Sequence, residues 1–349
     1  MATKQRSSSA ALLRYLGVRL ALVVPTVLIL VTLVFFLMRV IGDPISAKLG
    51  GQLTPDELER RREAAGYNRP IFVQYFEYLG NVVQGDFGTA SKDNRKILDV
   101  VLTNGAATVE LVCWSLIIAF LVGIPLGRLA ARYHDRLADV TIRFFAVLVY
   151  AAPVFFLGLV LKLIFGAHGL GILPTSMRVS RTTELALADL GYDSHFMIVD
   201  ALRSGQWVYI SDVLKHAILP AVALGLMEAG IFIRLIRINL LETLRTDYVV
   251  AARARGVAER RVVSKHAFRN ALIPVVTVMG MEIALMLCGA ILTETTFEWP
   301  GLGYALSQYL LARDFVAVQG IVTAIALLVA VISFLIDVIN ALVDPRVRY

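Results

Sequence analysis

Three carboxylates stand where a water-soluble chain would not need them. Glu110, Glu228 and Glu282 each lie at or within a long apolar run, and Asp337 lies in another. An ionised side chain at the centre of a membrane helix costs about 2.5–3.5 kcal/mol on insertion scales, so such groups face a pore, a partner helix or a cation. The chemistry they offer is electrostatic: they can line a path and meet a positively charged group, or pair with a nearby cation such as Arg234. Catalytic patterns are absent. There is no H-E-x-x-H, no G-x-S-x-G and no G-x-x-x-x-G-K-S/T phosphate loop, so no catalytic residues are assigned and any ATP that drives this chain must be bound by another polypeptide. His134, His168, His195, His216 and His266 are scattered without metal-ligand spacing, and no metal site is expected. Cys113 and Cys288 both fall in apolar runs and read as reduced packing residues.

The elements that would position these carboxylates are membrane helices. The chain has 349 residues, 58% of them hydrophobic, with a mean hydropathy of +0.71. Apolar runs predict six spans at 15–38, 106–131, 140–165, 216–238, 271–292 and 316–342. Pro153 is expected to kink the third. Residues 1–14 form a basic tail and 343–349 a second one. The first apolar run is longer than a signal-peptide core, lacks a small-residue cleavage site and reads as a retained span. Between spans 1 and 2, residues 39–105 are polar. Thr54, Pro55 and Glu57 predict a capped helix that Gly66 closes, and Asn68 and Pro70 open a second with Phe72, Tyr75, Phe76 and Leu79 on its apolar face.

The most distinctive polar stretch is 240–269, between spans 4 and 5. It carries Arg245, Arg253, Arg255, Arg260, Arg261, Lys265 and Arg269. Ala251, Ala252 and Ala254 give one short helix a close-approach surface, Gly256 can take the positive φ that ends it, and Arg260 to Phe268 restarts a helical pattern. Asn270 can cap the next helix, with Pro274 in its first turn. The residues alone leave two readings open: a basic loop on anionic headgroups, or a knob that docks in a groove of a soluble partner. Nineteen of the 34 Lys and Arg residues fall in the short segments assigned to the inside or in the adjoining ends of the spans, which places both termini and the 240–269 loop in the cytoplasm. The basic excess follows from topology and requires no nucleic acid.

The stretch DYVVAARARGVAERRVVSKHAFRNALIPVVTVMG resembles the cytoplasmic EAA-type loop of ABC-importer permeases, and more narrowly the dipeptide/oligopeptide/nickel permease family of DppB/OppB type. Val250 stands where that motif has its leading Glu. GDP at Gly42 to Pro44, NRPIFVQYFEYLGNVVQGDFG, TVEL at Thr108 to Leu111 and TFEWPGLG are also similar to family signatures, so the resemblance covers nearly the whole chain. It implies an all-α polytopic protein with the type I ABC-importer permease fold of six transmembrane helices and a helical extracytoplasmic region between spans 1 and 2. It implies a multi-pass protein of the bacterial inner membrane that passes di- or oligopeptides. The implied partners are a second, homologous six-span permease in a heterodimer, two ATP-binding subunits that hold ATP and Mg²⁺, an extracytoplasmic substrate-binding protein and the lipid bilayer. Asp247, Tyr248, Ala251, Ala252, Arg253, Ala254, Gly256, Asn270 and Pro274 are the implied ATPase-coupling residues. Glu110, Glu228 and Glu282 are candidates for the path. The rival expectation from another class is an ion-coupled secondary transporter or channel that uses these carboxylates without an ATPase.

Overall fold

The computed structural model describes residues 2–41, 54–64 and 66–343. The Gly42–Pro44 motif and the end of the chain from residue 344 lie outside the described residues, as does the side chain of Cys288. Among the described residues the structure is helical throughout, joined by turns and one isolated bridge between Thr89 and Lys96.

The first helix, α1 (Ala2–Ile41), continues back through the stretch expected to be a tail, where AALL is strongly helix-forming. Then come α2 (Pro55–Ala64) and α3 (Ile71–Val83). Thr54 and Glu57 form the expected capping box: the Glu57 amide donates to Thr54 Oγ1 at 3.4 Å, and the Thr54 amide to Glu57 Oε2 at 3.3 Å. Next, α4 (Ile97–Arg132) is one unbroken helix of 36 residues, which begins well before the expected second span.

The third expected span is broken. α5 (Leu137–Ala151) and α6 (Val154–Phe165) meet at an angle of 103°, where a kink within one span was expected. Ala152 takes extended backbone (ψ 130°), the conformation that a following proline imposes, and Pro153 then starts the second helix. Two short helices follow, α7 (Arg181–Asp189) and α8 (Met197–Ser204), and then α9 (Trp207–Thr243), which starts well before the expected fourth span. After α10 (Asp247–Ala254) a single turn at Glu259–Arg261 runs into a π-helical segment, Val262–Ala267, and on into α11 (Phe268–Phe297). α12 (Leu302–Leu311) and α13 (Phe315–Val343) complete the chain.

Among the described residues four helices are long and apolar enough to cross a membrane, α1, α4, α9 and α13, and the α5–α6 pair makes up to five. α9 is the central one. It packs most extensively on α4 and also meets α5, α6 and α11, while α1 lies along α13. Close approach of α4 and α9 depends on glycine. A Cβ at Gly127 would stand 2.9 Å from Ile236 Cβ, and one at Gly123 would stand 2.8 Å from Phe232 Cβ, so this G-x-x-x-G pair lets the two backbones touch. The crossing puts the elbow after α9 and the C-terminal end of α4 together at one end of the bundle, and α7, α8 and the N-terminal half of α4 at the other.

Candidate functional site

The elbow between α9 and α11 is built from small residues. Ala131, Leu240, Val249, Ala252, Val262, Val263, Ala267 and Ala271 form a buried cluster, with Val257 and Phe268 packed on it. α10 ends as its sequence dictates. Gly256 has φ +76°, its amide donates to Arg253 O at 2.9 Å, and the Val257 amide donates to Ala252 O at 3.2 Å. These two bonds and the Val257 contact are a Schellman cap, which a left-handed glycine permits.

The cap divides the expected coupling residues into two sets. Asp247, Tyr248, Ala251 and Ala254 are exposed together with Val250, so α10 offers an open face of one ring and small side chains. Ala252 is 1% exposed and belongs to the elbow's own core, contrary to its expected place on the docking surface. Arg253 is occupied: Nε and Nη2 donate to the two Glu259 oxygens at 2.9 and 2.7 Å, and Nη1 donates to Leu244 O at 3.2 Å. Asn270 is not a cap. The π segment carries the helix through it, and its Nδ2 donates to the Tyr248 hydroxyl at 2.8 Å, tying α10 to α11. Pro274 likewise lies inside α11, beyond the first turn, so the Asn270 carbonyl has no amide to accept from at the usual spacing.

The three candidate path carboxylates separate. Glu110 is buried at the far end from the elbow. It forms an ion pair with Arg178, itself 5% exposed, and accepts from the Ile198 amide at 2.9 Å. Arg178 Nη2 also donates to His195 O at 2.9 Å, so this pair pins the α7–α8 segment to α4, and Glu110 does not face a path as expected. Burial draws the Arg178 pKa below its ordinary value, and Glu110 opposes the shift. Glu228 is 2% exposed, and its Oε2 has no partner among the described residues. Glu282 is half-buried and borders a cavity of about 570 Å³ between α5, α9 and α11, which Arg143, Arg234 and Arg237 also line.

Two buried carboxylates carry weight that sequence reasoning missed. Asp139 accepts from Arg237 Nε and Nη2 at 2.6 and 2.7 Å, joining α5 to α9 below the cavity. Glu294 accepts from Thr108 Oγ1 at 2.7 Å and from the Tyr304 amide at 3.0 Å, while Trp299 Nε1 donates to Ala107 O at 2.9 Å. A Cβ on Gly301 would collide with the Glu294 carboxylate. The run TETTFEWPGLG therefore folds back over its own acid, and an acid followed seven residues later by a turn glycine was the available signal.

Comparison with known proteins agrees with this architecture. Residues 123–349 match the family of binding-protein-dependent transport system inner membrane components, and residues 12–120 match the N-terminal model of such membrane components. The dipeptide transport system permease protein DppB of Escherichia coli K12 is 35% identical over 97% of this chain and 99% of its own length. The di/tripeptide permease DppB of Pseudomonas aeruginosa is 35% identical with the same coverage, and the oligopeptide permease AppB of Bacillus subtilis 32% identical over 96% and 99%. With several apolar helices, a multi-pass placement in the inner membrane, and no nucleotide motif of its own, the chain belongs to the binding-protein-dependent inner-membrane component family, among the dipeptide and oligopeptide ABC permeases, which are transporter subunits rather than enzymes.

Proposed function

We propose that this chain forms the translocation path of an ATP-driven importer of di- and oligopeptides and is driven through α10 by separate ATPase subunits. One observation carries the reading beyond family membership. The elbow holds itself together with its buried face, Ala252 and Val249 included, and leaves Tyr248, Val250, Ala251 and Ala254 open. A rigid knob with a small-residue face suits insertion into a protein cleft. A lipid-lying helix would instead present Trp, Phe and Leu beside its basic side chains. Closure of two ATPases, each holding ATP and Mg²⁺, would move this knob as a lever and switch the packed helices between discrete arrangements.

The topology that goes with this reading has six spans. α11 supplies one and the bent α5–α6 pair another. The elbow and both termini lie in the cytoplasm, and the α2–α3 and α7–α8 segments outside. A substrate-binding protein delivers peptide to the outer segments, and a second, homologous permease completes a heterodimer. Glu282, and Glu228 behind it, are the carboxylates retained for the path.

Purification of the chain in mild detergent with native mass spectrometry tests the proposal. Two nucleotide-binding subunits and a second permease should accompany it, and uptake should require ATP. An uptake-active chain without ATPases, sensitive to ionophores instead, would overturn it in favour of an ion-coupled carrier.

A further inference from the structure

The cavity between α5, α9 and α11 has charges that the bundle itself does not use. It holds about 570 Å³, within the range of small-ligand sites and large enough for a short peptide. Three cations and one carboxylate border it. Arg237 is taken: both of its donors are on the buried Asp139, at 2.6 and 2.7 Å. Arg143 is loosely held, 3.5 Å from the same Asp139 and 48% exposed. Arg234 is exposed and borders the cavity, and neither it nor the half-buried Glu282 on the facing helix has a hydrogen-bond or ion-pair partner among the described residues. Arg234 lies near the inner end of the expected fourth span, and a pairing with Glu282 would have satisfied both charges. The fold keeps them apart.

The remaining walls are apolar. Tyr150, Val147 and Ile238 face the space between the charges. Gly230 sets the width at one side: a Cβ there would stand 2.7 Å from Ala146 O, so α5 and α9 run in contact and leave the room between them and α11. The result is one free fork-shaped cation, one free anion and an apolar surface between. A guanidinium matches a carboxylate with two parallel hydrogen bonds, and an isolated carboxylate is suited to an ammonium.

We infer that this cavity is a transit site for zwitterionic short peptides, with the peptide carboxylate at Arg234 and its ammonium group at Glu282. The inference rests on the reading of the chain as a peptide permease. All such peptides share one free carboxylate and one free ammonium whatever their side chains, so a site that reads the two ends tolerates varied sequences. The apolar walls take side chains without choosing among them. Binding is weak by design, since a transit site must release what it admits.

The test is protection of a reporter thiol in the purified transporter, with Cys113 and Cys288 replaced by Ser and Ile238→Cys introduced at the cavity wall. Alanyl-alanine at millimolar concentration should slow alkylation of that cysteine severalfold, and alanyl-alaninamide, which lacks the carboxylate, should not. Arg234→Gln should abolish protection and Arg234→Lys should largely restore it, with copurification of the other subunits unchanged. Peptide uptake at saturating substrate should fall about tenfold in Arg234→Gln, the worth of one charge-assisted hydrogen bond. Equal protection by the amide, protection that survives Arg234→Gln, or none by alanyl-alanine would overturn the inference. So would loss of a second permease from the Arg234→Gln preparation, which would assign Arg234 to a subunit contact. The labelling uses neither ATP nor uptake, so its failure is separable from failure of the importer reading, which the wild-type purification decides.

Discussion

At the α7–α8 end of the bundle Glu110 and Arg178 are both almost wholly buried and close on each other. At the elbow end the equivalent pair, Arg253 and Glu259, sits at the surface with side chains 39% and 59% exposed. The α7–α8 end adds this buried ion pair to an apolar cluster of Val179, Leu187, Ala201 and Val213, whereas the elbow's core is apolar contact, mostly among alanines and valines, with its ion pair outside. A buried pair holds one geometry and is costly to break, because each partner leaves the other uncompensated. A small-residue core with its charges outside holds shape and leaves its outer face free. The contrast gives one end a buried anchor and leaves the proposed docking face at the other.

Breaking the buried pair is the most severe way to test that contrast. Glu110→Ala strands Arg178 and should destabilise the chain by about 3–5 kcal/mol, read as a lower thermal unfolding midpoint in detergent. Replacing both by Met should recover most of the loss. At the elbow, two neighbouring alanines should behave oppositely. Ala252→Trp overfills a site that is 1% exposed and should cost about 1–3 kcal/mol or more, loosening the elbow before any partner is involved. Ala251→Trp, on the exposed face, should leave the unfolding midpoint within about 0.5 kcal/mol of wild type and abolish copurification of the ATPase subunits. Gly256→Val forces a branched residue to φ +76° and should cost about 1–2 kcal/mol, with faster amide exchange confined to α10 and the turn after it. Equal behaviour of the two tryptophan variants would erase the distinction between core and recognition face.

Local chemistry was legible in the sequence, and its long-range consequences were not. Thr54, Glu57 and Gly256 act on backbone groups within a few residues, and each stands in the structure as its type demands. Pro153 shows where that stops. Pro25, Pro125, Pro220 and Pro274 all sit inside continuous helices, yet Pro153 separates two helices at 103°. What differs is tertiary: Gly158 on α6 lies so close to the Phe297 ring that a Cβ would stand 2.9 Å from it, and α6 must turn to reach that contact. Likewise, the spacing of Glu110 marked it as costly, but its cation lies 68 residues along the chain in a polar loop. Asn270 read as a cap because a π segment leaves no trace in hydrophobic periodicity. The division of the alanines, with Ala252 inward and Ala251 outward, depends on which way α10 leans, and composition cannot supply that.

The smallest effect expected concerns the surface pair. Hydrogen bonds from Arg253 hold the Glu259 carboxyl below its ordinary pKa, with partial burial opposing. A carboxyl depressed by folding contributes stability that is present above its unfolded pKa and is lost as pH falls through the lowered value. Amide protection across α10 should therefore weaken as pH falls through and below the ordinary carboxylate range, and Glu259→Gln should flatten that profile. Because both partners meet water the contribution is under about 1 kcal/mol. Salt separates the two ends more sharply than pH does. At about 1 M ionic strength the screening length is near 3 Å, so the Arg253–Glu259 attraction should largely vanish. The Glu110–Arg178 pair is closed from solvent, so protection of α7 and α8 should persist in the same solution. If high salt loosened α7 and α8 as much as the elbow, the Glu110–Arg178 pair would have to be open to water, and anchoring by buried charge would fail as the account of that end.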